Sequence, residues 1–169
     1  SAIKLEGGAR MADRVQAIVQ AGIPVMGHIG LTPQSVHQFG GYKVQGKNYL
    51  DSRQIKQDAC DLQSAGIFAL VLEGIPGELA EEITTELKIP TIGIGAGSKC
   101  DGQILVLHDL LGLNQDFVPK FVKQYAQLAD SLKNAVTEYI QDVRTETFPA
   151  KEHTYQSKQG KLKQVNDGN

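Results

Sequence analysis

Ile67-Phe68-Ala69-Leu70-Val71-Leu72-Glu73-Gly74-Ile75-Pro76 is an unbroken apolar run that ends on a carboxylate and then breaks at glycine and proline. A β-rich apolar run of that length between turn residues reads as a strand buried on both faces, as in a parallel sheet. A carboxylate in such surroundings is expensive, because an unpaired buried charge is strongly disfavoured. The carboxyl ends of strands in parallel sheets and barrels are where ligands bind and chemistry occurs. Glu73 is therefore the first candidate for a general base tuned by its surroundings. The bland alternative is a cap on the following helix, but Pro76-Gly77-Glu78-Leu79 opens that helix too far downstream for a normal N-cap.

Working outward, the same alternation repeats. Ile3-Lys4-Leu5 is a short strand ended by Glu6-Gly7-Gly8. Met11, Val15, Ile18 and Val19 then follow helical spacing up to Gly22. Ile23-Pro24-Val25-Met26-Gly27-His28 reads as a second strand. The polar stretch around Gly40–Gly46 has no period and reads as a functional loop. A helix is expected from about Arg53 to Ala65, a third from Glu78 to Lys88, and strands at Ile89–Ile94 and Gln103–Leu107. Two more helices are expected, Val118–Ala129 and Leu132–Val143. A polar tail from about Phe148 either lies loose or wraps a neighbour. Five strands alternating with helices specify an α/β fold with a parallel sheet. An open doubly wound sheet and part of a closed (β/α)8 barrel both satisfy that pattern.

Four polar residues stand at strand ends. Lys4 and Glu6 alternate on the first strand and so share a face, His28 ends the second strand, and Glu73 ends the third. In a parallel array these ends gather at one rim. A lysine, a histidine and two carboxylates there suit enolate chemistry, one carboxylate holding a divalent cation that polarises a carbonyl and the other removing the adjacent proton. Each has a structural alternative: an ordinary Lys4–Glu6 ion pair, and a satisfied core histidine at position 28. Gly93-Ile94-Gly95-Ala96-Gly97-Ser98 lacks the ending of a nucleotide-binding loop and reads as a place of close backbone approach. His108 and Asp109 could line the same rim, or Asp109 could simply cap a helix.

Composition excludes several classes. The 169 residues make one domain, residues 1–169, with a real core. A formal charge of -2 with 21% charged residues offers no electrostatic case for nucleic acid or an anionic membrane. No apolar stretch approaches the roughly 20 residues of a membrane helix. Cys60 and Cys100 have no metal-ligand spacing and read as reduced thiols of a cytoplasmic protein. The chain begins at Ser1 without an initiator methionine and enters directly on a strand, as expected of a piece of something longer.

Taken together, Lys4-Leu5-Glu6-Gly7-Gly8, Gly27-His28-Ile29-Gly30-Leu31-Thr32-Pro33-Gln34-Ser35, Phe39-Gly40-Gly41-Tyr42-Lys43-Val44-Gln45-Gly46, Val71-Leu72-Glu73 and Thr91–Gly97 through Asp101–Val106 closely resemble the 3-methyl-2-oxobutanoate hydroxymethyltransferase family. The match runs in order over nearly the whole chain, and the His28 and Gly40 blocks are specific. The resemblance implies a (β/α)8 TIM barrel, of which this chain covers about the last five strands. It implies Mg2+-dependent transfer of a hydroxymethyl group from 5,10-methylenetetrahydrofolate to 3-methyl-2-oxobutanoate, a step of pantothenate synthesis, by a homo-oligomer. By motif, Glu73 is the proton acceptor, Glu6 belongs to the metal site, Lys4 binds the keto acid, and His28 lies near the product hydroxymethyl group.

Two aspartates and a serine that the family supplies ahead of the Lys-x-Glu strand are not among these residues. The chain alone is therefore expected to hold Mg2+ poorly and to be inactive. Two rivals stand beside this reading. Another Mg2+-dependent keto-acid lyase barrel would need a cysteine in a strand-end loop, which neither Cys60 nor Cys100 provides. A non-catalytic half-barrel for assembly is opposed by the intact Lys4, Glu6, His28 and Glu73.

Overall fold

The computed structural model describes residues 1–33 and 44–156. The apolar runs form one parallel sheet of five strands: β1 (Ile3–Glu6), β2 (Val25–Gly30), β3 (Ala69–Glu73), β4 (Thr91–Ile94) and β5 (Gly102–Gln103). Each strand lies beside its predecessor in the chain, with no reversal of order. A doubly wound sheet reverses at a switch point; this one does not. Its winding is that of one arc of a (β/α)8 barrel, which decides between the two architectures the alternation allowed.

The helices confirm the winding. Val15 of α1 (Ala12–Gln20), Ile55, Ala59 and Leu62 of α2 (Tyr49–Ser64), and Leu79, Ala80 and Ile83 of α3 (Gly77–Glu86) share one core. Val25 and Ile29 of β2, with Leu70 and Leu72 of β3, join them from alternate strand positions. The intervening positions, Lys4, Glu6, Met26, His28, Ala69, Val71 and Glu73, therefore face away from the helices. One face of the sheet is core, and the other carries the candidate chemistry.

Two helix starts differ from the sequence reading. A 3-10 turn over Ala9–Met11 precedes α1. Asn48 caps α2 by accepting from Asp51 N at 2.9 Å, so the helix begins at Tyr49 rather than near Arg53. Of the loop predicted over Gly40–Gly46, residues 40–43 lie outside the described residues. The Gly93–Ser98 loop packs backbone against backbone: Gly97, with φ +76, leaves no room for a Cβ against Gly77 at the start of α3.

The larger corrections come after β4. The strand expected over Gln103–Leu107 pairs only at Gly102–Gln103, with Ile104 N still reaching Gly93 O, before the short α4 (Leu107–Leu110). Of the helix expected over Val118–Ala129, residues 118–128 are not helical, and Ala129 begins the next helix. Two amides of this stretch bond outside it: Tyr125 N donates to Leu110 O and Leu128 N to Leu111 O. Tertiary pairing with the α4 turn replaces the local ladder that the apolar spacing suggested. The last helix is the continuous α5 (Ala129–Arg144), which contains the predicted Leu132–Val143. No residue of α5 is buried. From 148 to 156 the tail folds back locally, Phe148 lying near Tyr139 and His153; residues 157–169 lie outside the described residues. Among the described residues no helix is long and apolar enough to cross a membrane.

Candidate active site

Parallel register brings the four predicted residues together. Glu6 pairs in register with His28, and His28 with Val71, so Glu6 and His28 stand at one level of the sheet face turned away from the helices. Lys4 lies one step below, opposite Met26, and Glu73 one step above Val71, opposite Gly30. Strand alternation then points all four side chains into the same space. Leu31 N donates to Glu73 O at 2.7 Å and Gly74 N to Ile94 O at 2.9 Å, which ties the Glu73 backbone to both neighbouring strands.

His28 is the centre of this group. Its side chain is 0% exposed, with Nε2 3.1 Å from Glu73 Oε2 and Nδ1 3.5 Å from Glu6 Oε1. Neither ring nitrogen makes an aligned hydrogen bond among the described residues, although both carboxylates are close. Buried polar atoms are ordinarily satisfied, so a buried imidazole aimed between two carboxylates needs an explanation. Glu6 and Glu73 are mostly buried, whereas Lys4, 46% exposed, approaches Glu6 Oε1 at 3.8 Å. The predicted Lys4–Glu6 ion pair is therefore present at long range, and it is one edge of a larger cluster. His28 is not a satisfied core histidine.

Among the described residues no ion pair joins His108 or Asp109 to these four side chains. Glu73 does not cap α3, whose N-cap is Pro76 with no side-chain bond. Asp109 accepts from Asn114 Nδ2 at 2.7 Å within its own loop, and His108 on α4 is exposed. Asp101 Oδ2 accepts from Thr91 N and Oγ1, closing the Gly93–Ser98 loop onto β4. Both cysteines are free thiols.

Sequence reading passed over Asp58. From α2 its Oδ1 accepts from Ala9 N at 2.9 Å, directly behind the strand that carries Glu6. The contact spans 49 residues, and the only trace of it in the sequence is a Gly7-Gly8 pair with no local cap. Beside this turn a cleft of about 380 Å³ opens between Gly7–Arg10, the end of β2 and α2; none of the four rim residues lines it.

As chemistry, the arrangement offers a carboxylate beside an imidazole for proton removal, a second carboxylate for a cation or donor, and an ammonium for an anion.

Comparison with known proteins agrees. The family described as ketopantoate hydroxymethyltransferase matches residues 1–151. The chain is 54% identical over 165 residues to a 3-methyl-2-oxobutanoate hydroxymethyltransferase of Clostridium beijerinckii, covering 98% of this chain and 60% of that protein. Against the protein of the same name from Clostridioides difficile it is 51% identical over 164 residues, 97% of this chain and 60% of the relative. The corresponding protein of Syntrophotalea carbinolica is 56% identical over 154 residues, 91% of this chain and 58% of the relative. The chain thus spans about 60% of the length of the curated relatives it matches. With a family match over most of its length, the chain belongs to the ketopantoate hydroxymethyltransferase family.

Proposed function

We propose that this chain carries the proton-removal half of a hydroxymethyltransferase site acting on 3-methyl-2-oxobutanoate, with 5,10-methylenetetrahydrofolate as one-carbon donor. The observation that carries the reading is the convergence of Lys4, Glu6, His28 and Glu73 on one sheet face, with His28 buried between the two carboxylates. The names of relatives at 51–56% identity support the same activity.

Glu73 takes the hydrogen at C3, next to the ketone, and its carboxylate is held at that height by backbone bonds to β2 and β4. Lys4, the exposed cation of the group, holds the keto-acid carboxylate. His28 Nε2, beside Glu73, orients the base and faces the incoming one-carbon unit. Water opens the donor, both C–N bonds of its methylene bridge breaking to give formaldehyde and tetrahydrofolate. The C3 carbanion then adds to the formaldehyde carbon, the new alkoxide takes the proton held by Glu73, and the product is 2-dehydropantoate.

Mg2+ belongs to the proposal through Glu6. A carboxylate oxygen is the right kind of donor for it, and magnesium commonly uses one or two carboxylates plus substrate and water. Among the described residues no three His, Cys, Asp or Glu side chains are arranged to hold a metal ion between them, so they supply only part of its shell. Bound there, the ion would polarise the keto oxygen. For the same reason the 169-residue chain alone is inactive in this proposal, and the active species is a homo-oligomer containing a closed barrel.

The test is product formation by the full-length protein. Proton NMR should show 2-dehydropantoate accumulating from keto acid and 5,10-methylenetetrahydrofolate only with Mg2+. Accumulation undiminished by chelation would remove the metal from the reading, and no product at all would remove the substrate pair.

A further inference from the structure

We propose that Asp58 is a positioning residue for Glu6. From the middle of α2 its carboxylate fixes the turn behind β1, and through that turn the height of Glu6 at the rim. Three bonds define the turn. Gly7 N donates to His28 O at 3.0 Å, Met11 N donates to Gly8 O at 2.8 Å, and Ala9 N donates to Asp58 Oδ1 at 2.9 Å. Gln54 Nε2 donates to the same Oδ1 at 3.0 Å and orients the carboxylate.

The choice of residue at position 8 is informative. The Ala9–Met11 turn begins at Gly8 and has no side-chain cap of its own. A serine or aspartate at Gly8 would be the ordinary local solution, but a Cβ there would run into the Asp58 carboxylate. The cap therefore comes from α2, 49 residues away. A local cap would close the turn on itself, whereas this one ties the rim end of β1 to a helix. The cleft of about 380 Å³ bordered by Gly7, Gly8, Arg10, Gly30, Thr32 and Asp58 leaves one side of the turn without packing. The turn's three hydrogen bonds thus fix the backbone that follows Glu6, whose Oε1 lies 3.5 Å from His28 Nδ1.

The activity part of the test rests on the function proposed above; the structural part does not. In the full-length protein, Asp58→Ala is expected to lower the rate constant for Mg2+-dependent C3 hydrogen exchange about 10–100-fold, the usual effect of losing a supporting contact. The KM for keto acid should stay within about twofold. Asp58→Asn, which keeps an acceptor for Ala9 N, should recover most of the rate. A variant of lower thermal midpoint but undiminished rate constant would reduce Asp58 to a structural cap and overturn the proposal, as would Asn no better than Ala. Should Asp58→Ala not fold, Gly8→Ala displaces the same carboxylate, and an unchanged rate constant there overturns the proposal equally. If the wild-type protein exchanges nothing, the functional reading fails on its own. Amide exchange at Gly7 then decides the positioning claim: at least about tenfold faster in Asp58→Ala upholds it, and no change overturns it.

Discussion

At the scale of single residues, chemistry was legible wherever a polar side chain interrupts an apolar strand. Glu73 stands out because Ile67–Leu72 leaves no reason for a carboxylate. Lys4 and Glu6 could be assigned to one face because strand alternation has a period of two. The sequence could not reveal that His28 sits between the two carboxylates, since that depends on register between strands 19 or more residues apart. Asp58 was illegible for the same reason. Cys60 offers a residue-scale test away from the site. Burial pushes its thiol up, and the Glu86 carboxylate, which accepts from Sγ at 3.7 Å, adds to the effect. A raised folded-state value means that the folded chain keeps this proton at pH values where the unfolded chain has begun to release it. The associated stability is complete below the ordinary thiol range, about 8.5, and is lost as pH rises through the folded value. In a Cys100→Ser background, iodoacetamide alkylation of native Cys60 should reach half-maximal rate at higher pH than in urea. Equal midpoints would contradict the half-buried, carboxylate-facing thiol.

At the scale of elements, the strands through β4 and the first three helices could be read because their periodicity agrees with their burial. The boundaries could not, since caps set them. Asn48 starts α2 four residues before apolar spacing suggests, through one bond to Asp51 N. Asn48→Ala should cost about 1 kcal/mol of stability, measured by urea unfolding, whereas a loss below about 0.2 kcal/mol would show that the cap is idle in solution. Val118–Ala129 failed for the opposite reason: its spacing is helical, but two of its amides find partners in the α4 turn. Short-range pattern cannot report a competing long-range acceptor.

At the scale of the whole molecule, alternating strands and helices left two architectures open, and the order β1-β2-β3-β4-β5 decided for the barrel winding. What the sheet leaves uncovered is also informative. Leu132, Val136, Tyr139, Ile140 and Val143 form one exposed stripe along α5 at helical spacing. Exposed apolar faces often serve as association surfaces, which makes self-association through this stripe the expectation to test. The 169-residue chain should therefore self-associate, with a weight-average mass by light scattering that rises with concentration. Val136→Lys with Ile140→Lys should suppress that rise, and an unchanged mass profile would show that the stripe is not the contact. The central claim, that this sheet face removes a proton from a keto acid through Glu73, has a direct test. Wild-type full-length protein, its Glu73→Gln variant and the 169-residue chain would each be incubated with 3-methyl-2-oxobutanoate in heavy water, and the C3 proton signal followed by NMR. Mg2+-dependent loss of that signal in the wild type, absent from Glu73→Gln and from the 169-residue chain, is the predicted result. Exchange that continues in Glu73→Gln at the wild-type rate would contradict it.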